Sequence, residues 1–113
     1  MSERLPAHLE AAAIMRRVEA EGGFATVIRK GDPDRGILSL IVQKRGEFRG
    51  FLERELGPDF NYSWTFKSAD QGESSQRVAD LIARKGRLDP DFWLIELDIA
   101  DPERFIAETT SSG

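Results

Sequence analysis

Four steps in this chain set a proline beside an acid: Pro33-Asp34, Pro58-Asp59, Pro90-Asp91 and Pro102-Glu103. Proline presets φ, and a short acid next to it can accept from nearby backbone N–H groups, so turn and cap chemistry is the first account of all four. The chemical alternative gathers Asp34 with Glu47 or Glu96 as oxygen ligands for a divalent cation of the magnesium type. Its sharper form is a nuclease or phosphodiesterase core, in which a proline-aspartate precedes a strand and an acid-x-lysine follows. Pro33-Asp34 before Ile37 fits the first half, but Leu40-Ile41-Val42-Gln43-Lys44 and Glu47-Phe48-Arg49 hold no acid two residues before a lysine. That departure deprives the metal of a ligand or the mechanism of its lysine. Asp34 and Glu47 stand as the catalytic candidates, and their convergence with Glu96 is a question for the fold. Neither a metal site nor a cofactor is expected.

The second constellation is aromatic. Phe60, Tyr62, Trp64 and Phe66 alternate with Asn61, Ser63, Thr65 and Lys67. Such a file can stack bases, with Lys44, Arg45, Arg49 and Arg54 on neighbouring strands for phosphates. It is more commonly the inward face of a half-buried strand, and the core reading is favoured here. Tyr62, Trp64, Arg45 and Arg49 are the binding candidates, because tyrosine and tryptophan are enriched at interfaces.

His8 has no second histidine and no cysteine to join it, so a triad or a histidine metal site is unavailable. The serines Ser68, Ser74, Ser75 and Ser111 show no nucleophile-elbow pattern, and Gly22-Gly23 opens a strand rather than a phosphate-binding helix. Arg84, Lys85 and Arg87 form a basic helix end that suits the C-terminal dipole.

The elements that must position these residues follow from periodicity and punctuation. The spacing predicts a helix over Pro6 to Glu21, with Leu9, Ala12, Ala13, Ile14, Met15 and Val18 apolar and Glu10, Arg16, Arg17 and Glu19 toward water. Gly22-Gly23 ends it. Strands are predicted over Phe24 to Lys30, Ile37 to Gln43, Phe48 to Glu53 and Phe60 to Lys67. The first two are expected to form a hairpin through Gly31 to Gly36, and Gly50 to weaken or bulge the third. Ser68 to Ser74 is a polar connection. A second helix runs over Ser75 to Lys85 with a Val78, Leu81, Ile82 stripe, and as a crossover it would set strand Phe92 to Asp98 parallel to a neighbour inside the sheet. Asp101-Pro102-Glu103 reads as cap, first position and first-turn acid of a short last helix, with Thr109 to Gly113 fraying.

The 113 residues, 40% hydrophobic and 32% charged, describe one ordinary globular domain over 1–113, ordered over about 5–107. No cysteine is present, which suits a cytoplasmic, reducing setting and excludes thiol chemistry. No apolar signal region opens the chain, and no run approaches the ~20 apolar residues of a membrane helix. A net charge of -4 argues against a general nucleic-acid binder.

Gly23-Phe24-Ala25, Arg29-Lys30-Gly31-Asp32-Pro33-Asp34 with Gly36, the paired Arg16-Arg17, and above all Asp89 to Leu97 with Pro90-Asp91-Phe92-Trp93 carry a resemblance. Over roughly Leu5 to Asp98 the chain resembles a small bacterial family of uncharacterised proteins, domain of unknown function number 1491. The resemblance implies fold boundaries and no activity, and it does not cover Phe51 to Gln76. The expected fold class is α+β: helix, four mostly antiparallel strands, helix, fifth strand, short C-terminal helix, as a single sheet with helices packed on one face. The expected function is non-catalytic binding or adaptor work, with an unknown protein partner or as a homodimer. The metal-dependent enzyme using Asp34 and single-stranded nucleic-acid binding through Phe60 to Phe66 are the alternatives.

Overall fold

The computed structural model describes residues 5–68 and 74–111; the side chains of 74–79 and 81 lie outside the description. Its elements are α1 (Ala7–Ala20), β1 (Phe24–Arg29), β2 (Leu38–Lys44), β3 (Glu47–Leu56), β4 (Tyr62–Ser68), α2 (Ser74–Leu88), β5 (Trp93–Asp98) and α3 (Pro102–Ser111). This is the α+β order expected, with α3 continuing through Ser111 rather than fraying from Thr109.

Alanine-rich α1 has strong intrinsic helix preference and stops where glycine allows a left-handed turn. Gly22 takes φ +84° and donates to Glu19 O at 3.1 Å, while Gly23 N donates to Val18 O at 3.0 Å, which together close the helix end. A side chain at Gly23 would collide with the Asp98 carbonyl, so the chain enters β1 pressed against the end of β5.

The sheet order is β1-β5-β2-β3-β4. The β1–β2 hairpin expected from sequence does not form: among the described residues β1 pairs with β5 alone, antiparallel, and β5 lies parallel to β2. The crossover expectation holds, with β5 inside the sheet. β2–β3 and β3–β4 are antiparallel neighbours. The β2–β3 register shifts at Val42/Gln43, opposite Gly50, which adopts φ +149° against the carbonyl of Lys67. This is the bulge its glycine predicts.

Period two splits the core into two clusters. Leu38, Leu40, Val42, Leu52, Trp93, Ile95 and Leu97 pack with Ala7, Ala11 and Val18 of α1 and Phe105 of α3. Ile41, Phe51, Phe92 and Leu94 point the other way, and Ile82 of α2 packs against them. The helices therefore cover both faces, α1 and α3 on one and α2 on the other, not one face as expected. Five successive buried residues at the start of β2 require that arrangement, because a strand buried on both sides needs a layer on both sides. Val78 and Leu81 of the predicted α2 stripe are outside the described side chains. No helix among the described residues is long and apolar enough to cross a membrane.

Candidate functional site

The segments that carry the family resemblance meet at one end of the sheet. Asp32 N donates to Asp91 O at 2.9 Å, Trp93 Nε1 to Asp32 O at 2.8 Å, and Trp93 N to Ile37 O at 2.9 Å. The first turn of α1 closes over the same loop: His8 N and His8 Nδ1 each reach Pro33 O at 2.8 Å. Arg29 donates to Pro90 O at 2.6 Å and lies over the Phe92 ring at 4.8 Å. Side chains at Gly31 or Gly36 would run into the Asp91 carbonyl, so these glycines are places where backbone approaches backbone. The cluster is an interlock of main chain, and its acids serve it. Asp32 Oδ1 accepts from the N–H groups of Asp34 and Arg35 at 2.9 and 2.8 Å, and those bonds hold its carboxyl below the ordinary aspartate range.

Turn and cap chemistry accounts for the proline-acid steps, with one correction of detail. In three of them the accepting aspartate precedes the proline: Asp32 as above, Asp89 receiving Asp91 N at 3.0 Å, and Asp101 receiving Arg104 N at 3.2 Å. Only Asp59 follows its proline, accepting from Asn61 N at 3.1 Å, and this bond lowers its pKa.

Asp34 and Glu47 are not brought together. Asp34 is exposed before β2 and Glu47 is exposed after it, so the strand holds them roughly 20 Å apart. Glu96 sits midway along β5, in register with Ile41 and Thr26. Among the described residues, no three histidine, cysteine, aspartate or glutamate side chains gather as metal ligands would.

The aromatic file divides. Trp64 and Phe66 are half-buried against the α1/α3 core, as the core reading expects, whereas Tyr62 is 46% exposed. Phe60 is not in the strand. It occupies the turn at φ +64° and is 82% exposed. Arg45 and Arg49 lie at the opposite end of the sheet from Tyr62, roughly 20 Å along β4. Arg45 N and Gly46 N both donate to the Asp98 carboxylate, at 2.8 and 2.9 Å, fixing the tight turn between β2 and β3. Arg49 faces Glu47 and Glu103, each at 3.7 Å.

Two features escaped sequence reasoning. Glu10, expected toward water, is buried and paired with Arg54, whose guanidinium lies 4.8 Å over Trp64. The signal was an acid within the stretch Leu9 to Ile14, otherwise wholly apolar. The other is the hairpin tip. The β2–β3 register begins with Ser39 opposite Glu53, so β3 runs on to Leu56 paired with β4 alone. Gly57 N to Asn61 O at 2.9 Å and Phe60 N to Gly57 O at 3.0 Å brace its turn. Leu56, Phe60 and Tyr62 are all exposed there. The break at Gly57-Pro58-Asp59 immediately before Phe60 could have assigned that residue to the turn. Elsewhere, a cleft of about 220 Å³ between α1 and α3 is floored by Val18, Ile99 and Phe105. It is smaller than the ~300–1,000 Å³ usual for small-molecule sites.

These observations define a mixed five-stranded α+β domain with helices on both faces, stapled at one end by the loops 31–36 and 89–93. The chain belongs to the family described as Protein of unknown function (DUF1491), which it matches over residues 5–107. A crystal structure of a family member from Caulobacter crescentus is similar at TM-score 0.75 and 29% identity, over 90% of this chain and 94% of that one. An NMR structure of a family protein from the same organism gives 0.72 and 27%, over 89% and 91%. The solution structure of a protein from A. tumefaciens gives 0.65 and 25%, over 85% and 86%. No curated protein matches.

Proposed function

We propose that this chain is a non-catalytic binding or adaptor domain that docks a protein partner through the β3–β4 hairpin tip. The observation that carries this reading is Phe60, a bulky aromatic held at φ +64° and 82% exposed on a hairpin extending beyond β2. A left-handed conformation costs a non-glycine residue roughly 1–2 kcal/mol, and burial does not repay it here. Leu56 and Tyr62 continue the apolar surface beside it. Aromatic anchors of this kind dominate protein interfaces. The net charge of -4 favours a protein partner over nucleic acid. A chain without cysteine suits work in the cytoplasm.

The test pairs stability with contact. Phe60→Gly relieves the backbone and should raise stability by about 1 kcal/mol. A photo-crosslinking amino acid at position 60 should capture one discrete protein in cells, and the same group at exposed Glu19 should not. A marked loss of stability in Phe60→Gly, or no adduct specific to position 60, overturns the reading.

A further inference from the structure

The residue beside Phe60 restricts what can receive the hairpin tip. Asp59 precedes Phe60 in the turn, with its Cα about 3.8 Å from that of Phe60. Its carboxylate is fixed in place: Oδ1 accepts from Asn61 N and Oδ2 from Asn61 Nδ2, each at 3.1 Å. Oδ1 also lies against Gly57, where a Cβ would stand 3.0 Å from it. The donors from Asn61 hold the carboxyl below the ordinary aspartate range, so the group is ionised at neutral pH. They bring it no counter-charge. The other charged groups of the hairpin end differ: Glu55 pairs with Lys67 at 3.1 Å, Glu53 meets Lys67 and Lys85 at 3.6 and 3.7 Å, and Arg54 is taken by Glu10. Among the described residues, no lysine or arginine pairs with Asp59. The tip therefore presents one fixed, unmatched negative charge beside the exposed Leu56, Phe60 and Tyr62.

We propose, resting on the docking reading above, that the partner protein receives this tip in an apolar socket with an arginine on its rim, set against Asp59. The reason is desolvation. A socket that takes Phe60 out of water draws the adjacent carboxylate out with it, and a carboxylate left unpaired there opposes binding. A counter-charge on the partner turns that penalty into attraction. After bonding Asn61, each oxygen of Asp59 keeps a lone pair, and a planar guanidinium offers two parallel donors to match them. The carboxylate is already held, so pairing costs little side-chain freedom. The same charge speaks against other hosts for an aromatic tip, since anionic lipid and nucleic-acid phosphates both repel it.

A photo-crosslinking amino acid at Tyr62 leaves Asp59 and Phe60 natural, and the whole chain carrying it is crosslinked in cell extract at low salt and at about 0.5 M salt. Asp59→Asn keeps an acceptor in the turn, and its circular dichroism should match that of the natural chain. It should lower the yield of the protein adduct about fivefold at low salt and far less at high salt, as screening requires. Asp59→Arg should abolish the adduct. Glutamate in place of the socket arginine, located by mass spectrometry of the adduct, should then restore it. An Asp59→Asn yield equal to the natural one, a loss identical at both salt concentrations, or an Asp59→Arg chain that the glutamate does not rescue overturns the proposal. Those results leave docking intact so long as the adduct still requires Phe60. An adduct indifferent to Phe60→Ala, or none at all, removes docking itself and this proposal with it. Sedimentation of the chain with phosphatidylglycerol vesicles through Phe60 would make a lipid surface the host and would also overturn it.

Discussion

Trp93 donates its indole N–H to the main-chain oxygen of Asp32 across 2.8 Å, linking the entry of the central strand β5 to the loop that precedes β2. Trp93 is 4% exposed, so the ring fills core volume while its one polar atom is satisfied by backbone. Trp93→Ala should cost about 3 to 5 kcal/mol in urea unfolding, as buried aromatic truncations do. Trp93→Phe keeps most of the packing but leaves the Asp32 oxygen without this donor, and should cost about 1 to 3 kcal/mol. A Trp93→Phe variant as stable as the natural chain would show that the hydrogen bond adds nothing.

The glycines of the interlock should be unequal to the glycine of the β2–β3 turn. A Cβ at Gly36 would lie 2.6 Å from Trp93 Cδ1 and also strike the Asp91 carbonyl. Gly36→Ala should therefore lower stability by about 3 kcal/mol or prevent folding. A Cβ at Gly46 meets nothing within 4 Å, so Gly46→Ala should cost only the roughly 1 to 2 kcal/mol of its φ of +80°. Thermal melts of the two variants measure the contrast.

Glu10 and Arg54 pair with side chains only 11% and 16% exposed. Removing either partner strands a charge in the core, so Glu10→Ala or Arg54→Ala should each cost about 3 to 5 kcal/mol. Glu10→Leu together with Arg54→Met should recover most of that loss, since an apolar pair of similar size needs no counter-charge. A double-mutant cycle by denaturant unfolding reads the coupling directly.

Opposite limbs of the pH–stability curve should belong to different residues. Asp32 and Asp59 are held below the ordinary value of 3.8, chiefly by backbone N–H donors from Arg35 and Asn61. Their contribution is complete above that value and is lost as pH falls through the lower folded values. Lys67 is shifted the other way, raised from 10.5 mainly by its hydrogen bond to Glu55. Its contribution is complete below 10.5 and disappears as pH climbs through the raised value. Asp32→Asn keeps an acceptor but not the charge, so melting temperature should fall at neutral pH, stay nearly unchanged in acid, and leave a flatter acid limb. Lys67→Met should flatten the alkaline limb alone.

Element types were legible because their signals are local. The alternation from Phe60 to Lys67, the Gly22-Gly23 stop and the Asp101 cap each depend on a few neighbouring residues; the stop and the cap appear where expected, and the strand appears as Tyr62–Ser68, without Phe60. Pairing was less legible. Gly31 to Gly36 has hairpin composition, but its backbone is claimed by Asp91 and by the first turn of α1, and β5 occupies the place beside β1. Asp91 and β5 lie some sixty residues or more downstream and the first turn of α1 about twenty-five upstream, beyond any turn signal. The apolar run Phe92 to Asp98 suited cover on both faces, yet both helices were expected on one, because nothing in α2 alone says which face it takes. Glu10 was assigned to water by residue type, because its partner Arg54 is brought to it only by the assembled sheet. Among the candidate site residues, the acids failed to converge for an equally simple reason: a strand was interposed between Asp34 and Glu47.

The strand order has a consequence for how the chain is made. β1 leaves the ribosome well ahead of β5, which is its one neighbour among the described strands and ends at Asp98. Until β5 emerges, β1 has no described strand to join, and β2 is bare on the side that β5 will occupy. Completion of the sheet is therefore held back until β5 has emerged, and that strand closes the sheet by entering its middle. A nascent chain truncated before Trp93 should be a target for chaperones and proteases, whereas one extending past Asp98 should become resistant in a single step.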